Sequence, residues 1–161
     1  MNLFLSTYIN NIDKKNRISV PASFRAALNG ESFAGIIAYP SIKNQCIEAC
    51  GLKRIEELSQ IIENLDPYSP ERDAFETIIL GGSTQLSFDS EGRVVLAKEL
   101  IDYAAIDGQA CFVGKGQVFE IWNPEVFNKH SEKAKDIAFN NKLLLKNLGA
   151  NSLAPTRSGD K

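Results

Sequence analysis

Two turns carry the residues whose types and spacing could do chemistry: Asp13-Lys14-Lys15-Asn16-Arg17 and Asp89-Ser90-Glu91-Gly92-Arg93. Each places a carboxylate four residues ahead of a guanidinium. Such a pair serves either proton chemistry or charge-assisted anchoring. Proton chemistry needs a partner at the same place, and no His, Ser or Lys recurs at both turns. No nucleophile, base and orienting group come together, so the chain does not read as an enzyme. The basic residues have a clearer task. Lys14 and Lys15 sit at a turn tip, where a point charge suits a phosphate. Arg17 leaves the turn with a fork that fits a guanine edge bidentately. Arg25 follows on a short helix behind them.

The two turns are in register. Asp13 and Asp89 are 76 residues apart, as are Arg17 and Arg93. Each is followed by an apolar strand pattern, Ile18-Ser19-Val20-Pro21 and Val94-Val95-Leu96-Ala97. This predicts one folding unit present twice, in the order strand, turn, strand, helix, hairpin. In the first copy the spacing predicts a strand over 4–12 and a turn organised by Asp13, with Asn16 in the left-handed region. A strand over 17–20, a helix over 22–28, and strands over 34–39 and 45–50 follow. In the second copy it predicts strands over 84–88 and 93–96, a helix over 98–104, and strands over 110–113 and 117–122. Gly92 stands where Asn16 stood, as a position of positive φ requires. The hairpin strands Gln45–Cys50 and Gln117–Trp122 align at an offset of 72, so about four residues are lost between the helix and the last strand. Helical stripes follow each copy: 52–65 and 70–80 after the first, and one long helix over 124–148 after the second. The tail 149–161 is rich in Ser, Pro and Gly and reads as disordered.

The rest of the sequence narrows the function by exclusion. Cys46, Cys50 and Cys111 are an odd set with no disulfide framework and read as buried small residues. The one histidine, His130, is too distant to complete a zinc site with them. No glycine-rich phosphate loop is present, and Gly114-Lys115-Gly116 reads as a tight hairpin. Trp122 reads as a packing residue rather than a base-stacking platform. No signal peptide or membrane-length apolar run is visible, which predicts a cytoplasmic protein. The net charge is −2 over 161 residues, yet it is unevenly spread. Residues 1–52 carry five basic and three acidic groups, a net of +2. Residues 53–82 carry three and seven, a net of −4, and the remainder balances at ten each. The positive excess lies around the first turn, which points to nucleic acid at that place. A solvated turn on a structural or protein-interaction module is the alternative reading.

Ile12 to Arg25, Phe88 to Leu96 and Phe119-Glu120-Ile121-Trp122, in this order and on a doubled unit, resemble the MraZ family of bacterial regulators over about residues 3–148. The resemblance implies an α+β fold. It would hold two AbrB-like swapped-hairpin repeats in one chain, interleaved into a small β-barrel with flanking helices. The repeats would span 3–52 and 83–124, with a helical connector over 53–82 and a C-terminal helix over 125–148. It further implies a nucleoid-associated repressor without cofactor. Such a protein assembles into a ring and binds direct repeats of double-stranded DNA in the promoter of its own operon, in the division and cell-wall cluster. The family's DNA contact lies at the Asp-x-x-x-Arg turn. That carries over to Lys14, Lys15 and Arg17 first, then to Arg25 and Arg93, with Asp13, Asn16, Asp89 and Gly92 holding the turns. The sequence departs from the family in having Asn16 where Gly is usual. The second turn also carries Ser90-Glu91 where the first has Lys14-Lys15. The first repeat is therefore expected to read DNA and the second to be mainly structural.

Overall fold

A computed structural model describes residues 2–153. The backbone divides into two compact units, the first ending at Pro124 and the second beginning at Glu125. The first unit holds eight strands. They are β1 (Thr7–Asn11), β2 (Arg17–Ser19), β3 (Gly35–Pro40), β4 (Ile47–Cys50), β5 (Thr84–Ser87), β6 (Arg93–Val95), β7 (Gln109–Gly114) and β8 (Phe119–Trp122). Short helices α1 (Ala22–Ala27) and α4 (Lys98–Ala104) follow the two turns. Between the copies run α2 (Leu52–Glu63) and α3 (Pro70–Phe75), the latter passing directly into a π-helical segment, Glu76–Leu80.

The strand pairing is reciprocal between the copies. Six strands form one antiparallel sheet in the order β1-β7-β8-β4-β3-β5, and β2 pairs with β6 in a separate two-stranded ribbon. The first strand of each copy therefore pairs with the third strand of the other: β1 with β7, and β5 with β3. Exchanging the copies leaves the sheet order unchanged, so the first unit has an internal two-fold pseudosymmetry. Its axis passes the directly opposed pairs Ile18↔Val94 and Glu48↔Glu120. The register locates the missing residues. The offset is 76 at the turns, 74 where Ala38↔Thr84 matches Tyr8↔Phe112, and 72 at the last strand. Two residues are lost before the third strand and two more in the hairpin.

One core is shared by both copies, because neither can close its own sheet. Ile18, Val20, Phe24, Ile36, Ile47 and Ala49 of the first meet Val94, Leu96, Leu100, Phe112, Phe119 and Ile121 of the second. Phe24 is at the centre. Its ring lies 4.8 Å from Phe119, 5.4 Å from Phe4, 5.6 Å from Tyr8 and 6.4 Å from Phe112. A second cluster joins Ile37, Tyr39 and Cys50 to Ile55, Ile62 and Ile79 of the helical connector. Glu120 is also buried, and accepts a hydrogen bond from the Trp122 indole N–H at 2.9 Å. Trp122 is equally buried, so it offers no stacking platform.

The predicted elements hold with shifts of one to three residues, and three differences have physical causes. The first strand starts at Thr7 rather than 4, because Ser6 takes a positive φ of 79° and only a bridge from Phe4 to Gly116 precedes it. The second helical stretch ends in π-helix: Gly81 N–H reaches back five residues to the Glu76 carbonyl at 2.8 Å. The long C-terminal helix is two helices, α5 (Pro124–Asn140) and α6 (Lys142–Leu153). At the break, the Asn141 side-chain amide donates to the Ile137 carbonyl at 2.8 Å and competes with the helical ladder. Residues 149–153, read as the start of a disordered tail, continue α6, while 154–161 lie outside the described residues.

Candidate nucleic-acid interface

The two turns have the same internal wiring. Asp13 Oδ1 accepts the backbone N–H of Lys15 and of Arg17, both at 2.9 Å, and Oδ2 accepts Arg17 Nε at 2.8 Å. Asp89 does the same for Glu91, Arg93 and Arg93 Nε at 2.9, 2.9 and 2.8 Å. Asn16 and Gly92 sit at φ of 62° and 75°, and their N–H groups close the turns on the Asp13 and Asp89 carbonyls, each at 3.0 Å. Asp13, Asn16, Asp89 and Gly92 are thus placed as turn-forming residues. The aspartate is the organiser: it holds three donors that the reversing chain would otherwise leave open.

These bonds favour the ionised carboxylate. The backbone hydrogen bond from Arg17, ahead of the other causes, holds Asp13 below its ordinary value, and Arg93 does the same for Asp89. A depressed carboxylate contributes stability above its unfolded value, about 3.9 for Asp, and loses it as pH falls through the lower folded value. We expect the amide shifts of Lys15, Arg17, Glu91 and Arg93 to titrate by NMR with midpoints below about 3.9. Midpoints at or above that value would contradict the wiring.

Antiparallel pairing of β2 with β6 puts the two turns at opposite ends of a shared ribbon. Arg17 lies opposite Val95, Ile18 opposite Val94, and Ser19 opposite Arg93. Leu96 N–H donates to the Asn16 carbonyl at 2.8 Å, and Val20 N–H to the Gly92 carbonyl at 3.1 Å, so each strand extends to the other's turn. Ile18 and Val94 point into the core, and alternation turns Arg17, Ser19, Arg93 and Val95 outward together. Asn10 braces this ribbon from β1, its side-chain amide donating to the Ser19 carbonyl at 2.7 Å. Arg93 is held above its ordinary value first by its hydrogen bond to Asp89, with Asp13 across the ribbon adding to the effect.

The two arginines differ in what they leave open. Arg17 uses Nε on Asp13, and both its terminal nitrogens are without a hydrogen-bond partner among the described residues. Arg93 uses Nε on Asp89 and also holds Nη2 in an ion pair with Glu91 at 2.8 Å. A guanidinium with its terminal edge open can present two parallel donors to an acceptor pair, and one already bound to a carboxylate cannot do so without releasing it. Lys14 and Lys15 are exposed beside Arg17, and their ammonium groups make no ion pair among the described residues. Arg25 is placed elsewhere. Its Nε donates to the Val20 carbonyl at 3.1 Å, and its guanidinium covers Gly92, where a Cβ would lie 2.6 Å from Arg25 Cζ. It locks α1 against the second turn rather than standing at the first tip.

Ser19 and Val95 belong to this face although the turn pattern does not mark them. Strand alternation about Ile18 and Val94 is the signal that places them there. No sequence signal joins the two turns through one ribbon. The three cysteines are buried and free, and burial is the first cause of their raised thiols, at about 12, 12 and 11 for Cys46, Cys50 and Cys111. Among the described residues no cluster suited to a metal ion exists, and no helix is long and apolar enough to cross a membrane.

The fold and the site define a class: an α+β protein built from a doubled antiparallel unit that presents paired Asp-x-x-x-Arg turns on one ribbon. A family model described as "MraZ protein, putative antitoxin-like" matches residues 3–49 and 79–144. The chain is 61% identical over 147 residues to the transcriptional regulator MraZ of Rickettsia canadensis, covering 91% of this chain and 99% of that one. It is 59% identical over 147 residues to that of Rickettsia akari, and 60% identical over 148 residues to that of Rickettsia bellii, with the same coverage. The chain belongs to the MraZ family of transcriptional regulators, which is not an enzyme class.

Proposed function

We propose that this chain is a sequence-specific DNA-binding repressor of its own operon, gripping promoter direct repeats through the basic turn of its first repeat. The observation that carries this reading is the open terminal edge of Arg17, beside Lys14 and Lys15 at the tip of a two-stranded ribbon. A ribbon of that kind enters the major groove, where an arginine pairs with guanine O6 and N7 and the lysines take phosphates. Arg93 and Arg25 are secondary contacts, since Glu91 and the Val20 carbonyl already engage them. Reciprocal pairing of β1 with β7 and β5 with β3 supports reading 3–52 and 83–124 as interleaved swapped-hairpin repeats. The acidic connector over 53–82 faces away from DNA, and binding places the protein at the nucleoid.

A single tip holds about two or three phosphates, giving a salt slope of roughly −2 to −3. Specific control needs more, and a homo-oligomeric ring supplies it by presenting many identical tips to successive repeats. The test is a binding titration on the DNA immediately upstream of the coding region, at several salt concentrations. The expected result is a slope steeper than about −3, with much weaker binding when only one repeat is left in the probe. Equal affinity for one repeat and several would overturn the ring-avidity reading. No binding to any upstream fragment would leave the interaction-module alternative standing.

A further inference from the structure

The outward face of the ribbon holds one residue that phosphate and guanine contacts do not use. Val95 is 55% exposed, yet its three companions on that face are Arg17, Ser19 and Arg93. A lone surface valine needs no explanation in general. This one is singled out by position. It lies directly across the strand pair from Arg17 and two residues along β6 from Arg93. Under the pseudosymmetry its counterpart, 76 residues earlier, is Ser19. The two-fold scaffold thus carries an apolar group beside the open arginine on one side, and a hydroxyl beside the Glu91-bound arginine on the other.

We propose that Val95 is a specificity-determining residue that packs against the 5-methyl group of a thymine next to the base pair read by Arg17. The inference rests on the DNA-binding reading above. In the major groove, thymine is distinguished by that methyl, and an apolar side chain is the group that recognises it. Cross-strand neighbours at directly opposed positions lie about 4.5–5.5 Å apart at Cβ, so a long arginine and a short valine reach adjacent base steps. Because the counterpart is Ser19, the face has a direction: guanidinium and methyl-binding groups occur together only at the first turn. A polar face of this kind reads an asymmetric site, which suits direct repeats rather than palindromes.

The experiment compares two duplexes covering the DNA immediately upstream of the coding region, one made with thymine and one with uracil in its place. Affinities of the full-length chain and of Val95→Ser, Val95→Ala and Val95→Thr are measured on both. The unmodified protein should prefer the thymine duplex by about fourfold or more, the factor that burying one methyl-sized group provides. Val95→Ser should bind the uracil duplex as the unmodified protein does and show a thymine-to-uracil ratio near unity. Val95→Ala and Val95→Thr should fall between. Uracil also alters duplex shape, but that effect is common to every variant and cancels in the comparison. A Val95→Ser protein that keeps the full preference, or an unmodified protein with no preference, overturns the assignment of Val95. Failure of the unmodified protein to bind either duplex overturns the DNA reading itself, and is a distinct result. Val95 is outside the core, so melting temperatures of the variants should match and exclude misfolding as the cause.

Discussion

Replacing Arg17 by Ala should remove most of the DNA affinity, while replacing Arg93 by Ala should remove far less. Both arginines hold their turns in the same way, through Nε to the aspartate at 2.8 Å. Both pairs are partly exposed, with arginine side-chain exposures of 35% and 29%. Exposed ion pairs of this kind are screened by solvent and contribute little, so the structural cost is small and similar in the two variants. What differs is the terminal edge, open in Arg17 and tied to Glu91 in Arg93. A bidentate guanine contact contributes about 1–3 kcal/mol per site. Several tips acting together multiply that loss, so Arg17→Ala is expected to abolish specific binding on a multi-repeat probe. Arg93→Ala should weaken it by a few-fold at most. Binding titrations on the upstream DNA decide it, and comparable losses in the two variants would sink the asymmetry. Lys14→Ala and Lys15→Ala should act differently again, lowering affinity for all sequences and flattening the salt slope.

The second large effect is on stability. Phe24→Ala should cost about 3–5 kcal/mol, the range for removing a large aromatic from a packed core. Phe24 is 0% exposed and touches aromatic rings from both copies, Phe4 and Tyr8 on one side and Phe112 and Phe119 on the other. Domains of this kind are stable by about 5–15 kcal/mol, so the loss is a large fraction of the total. The first unit should still melt in one transition, because each copy completes the other's sheet and both share one core. Denaturation followed by circular dichroism at fixed protein concentration tests this. Two separable transitions within that unit, or a loss below about 1 kcal/mol, would contradict a shared core centred on Phe24. Leu100 occupies the equivalent place on α4 and is also buried, so Leu100→Ala should follow the same pattern at about 2–5 kcal/mol.

Much of this was legible because the relevant physics is local. Asp13 to Arg17 form a turn by bonds within five residues, so the residue types at fixed spacing suffice to predict it. Gly92 in place of Asn16 is read correctly for the same reason, since positive φ is a single-residue property. Lys98 to Ala104 is helical as its spacing predicts. Differences arise where a side chain's direction or a backbone bond, rather than residue type and spacing, decides. The break at Asn141 depends on a side chain competing for its own helix's carbonyl, and the apolar stripe continues across it. The π-helical ending of the connector leaves no periodic mark. Charge counting groups Arg25 with the first turn and carries no direction; its Nε donates to the Val20 carbonyl, a contact that only the tertiary structure shows.

By itself the sequence determined that one unit occurs twice, where each turn lies, which residues close it, and that the first tip is basic while the second is acidic. These follow from residue type and spacing, which act over a few bonds. The tertiary structure alone decided that β1 pairs with β7, β5 with β3 and β2 with β6. Those pairings join residues more than seventy positions apart, except β3 with β5, and depend on burying both apolar faces in one core. From them comes the arrangement that matters for function: two turns on one ribbon, Arg17 with an open edge, Arg93 held by Glu91, and Val95 facing outward beside them.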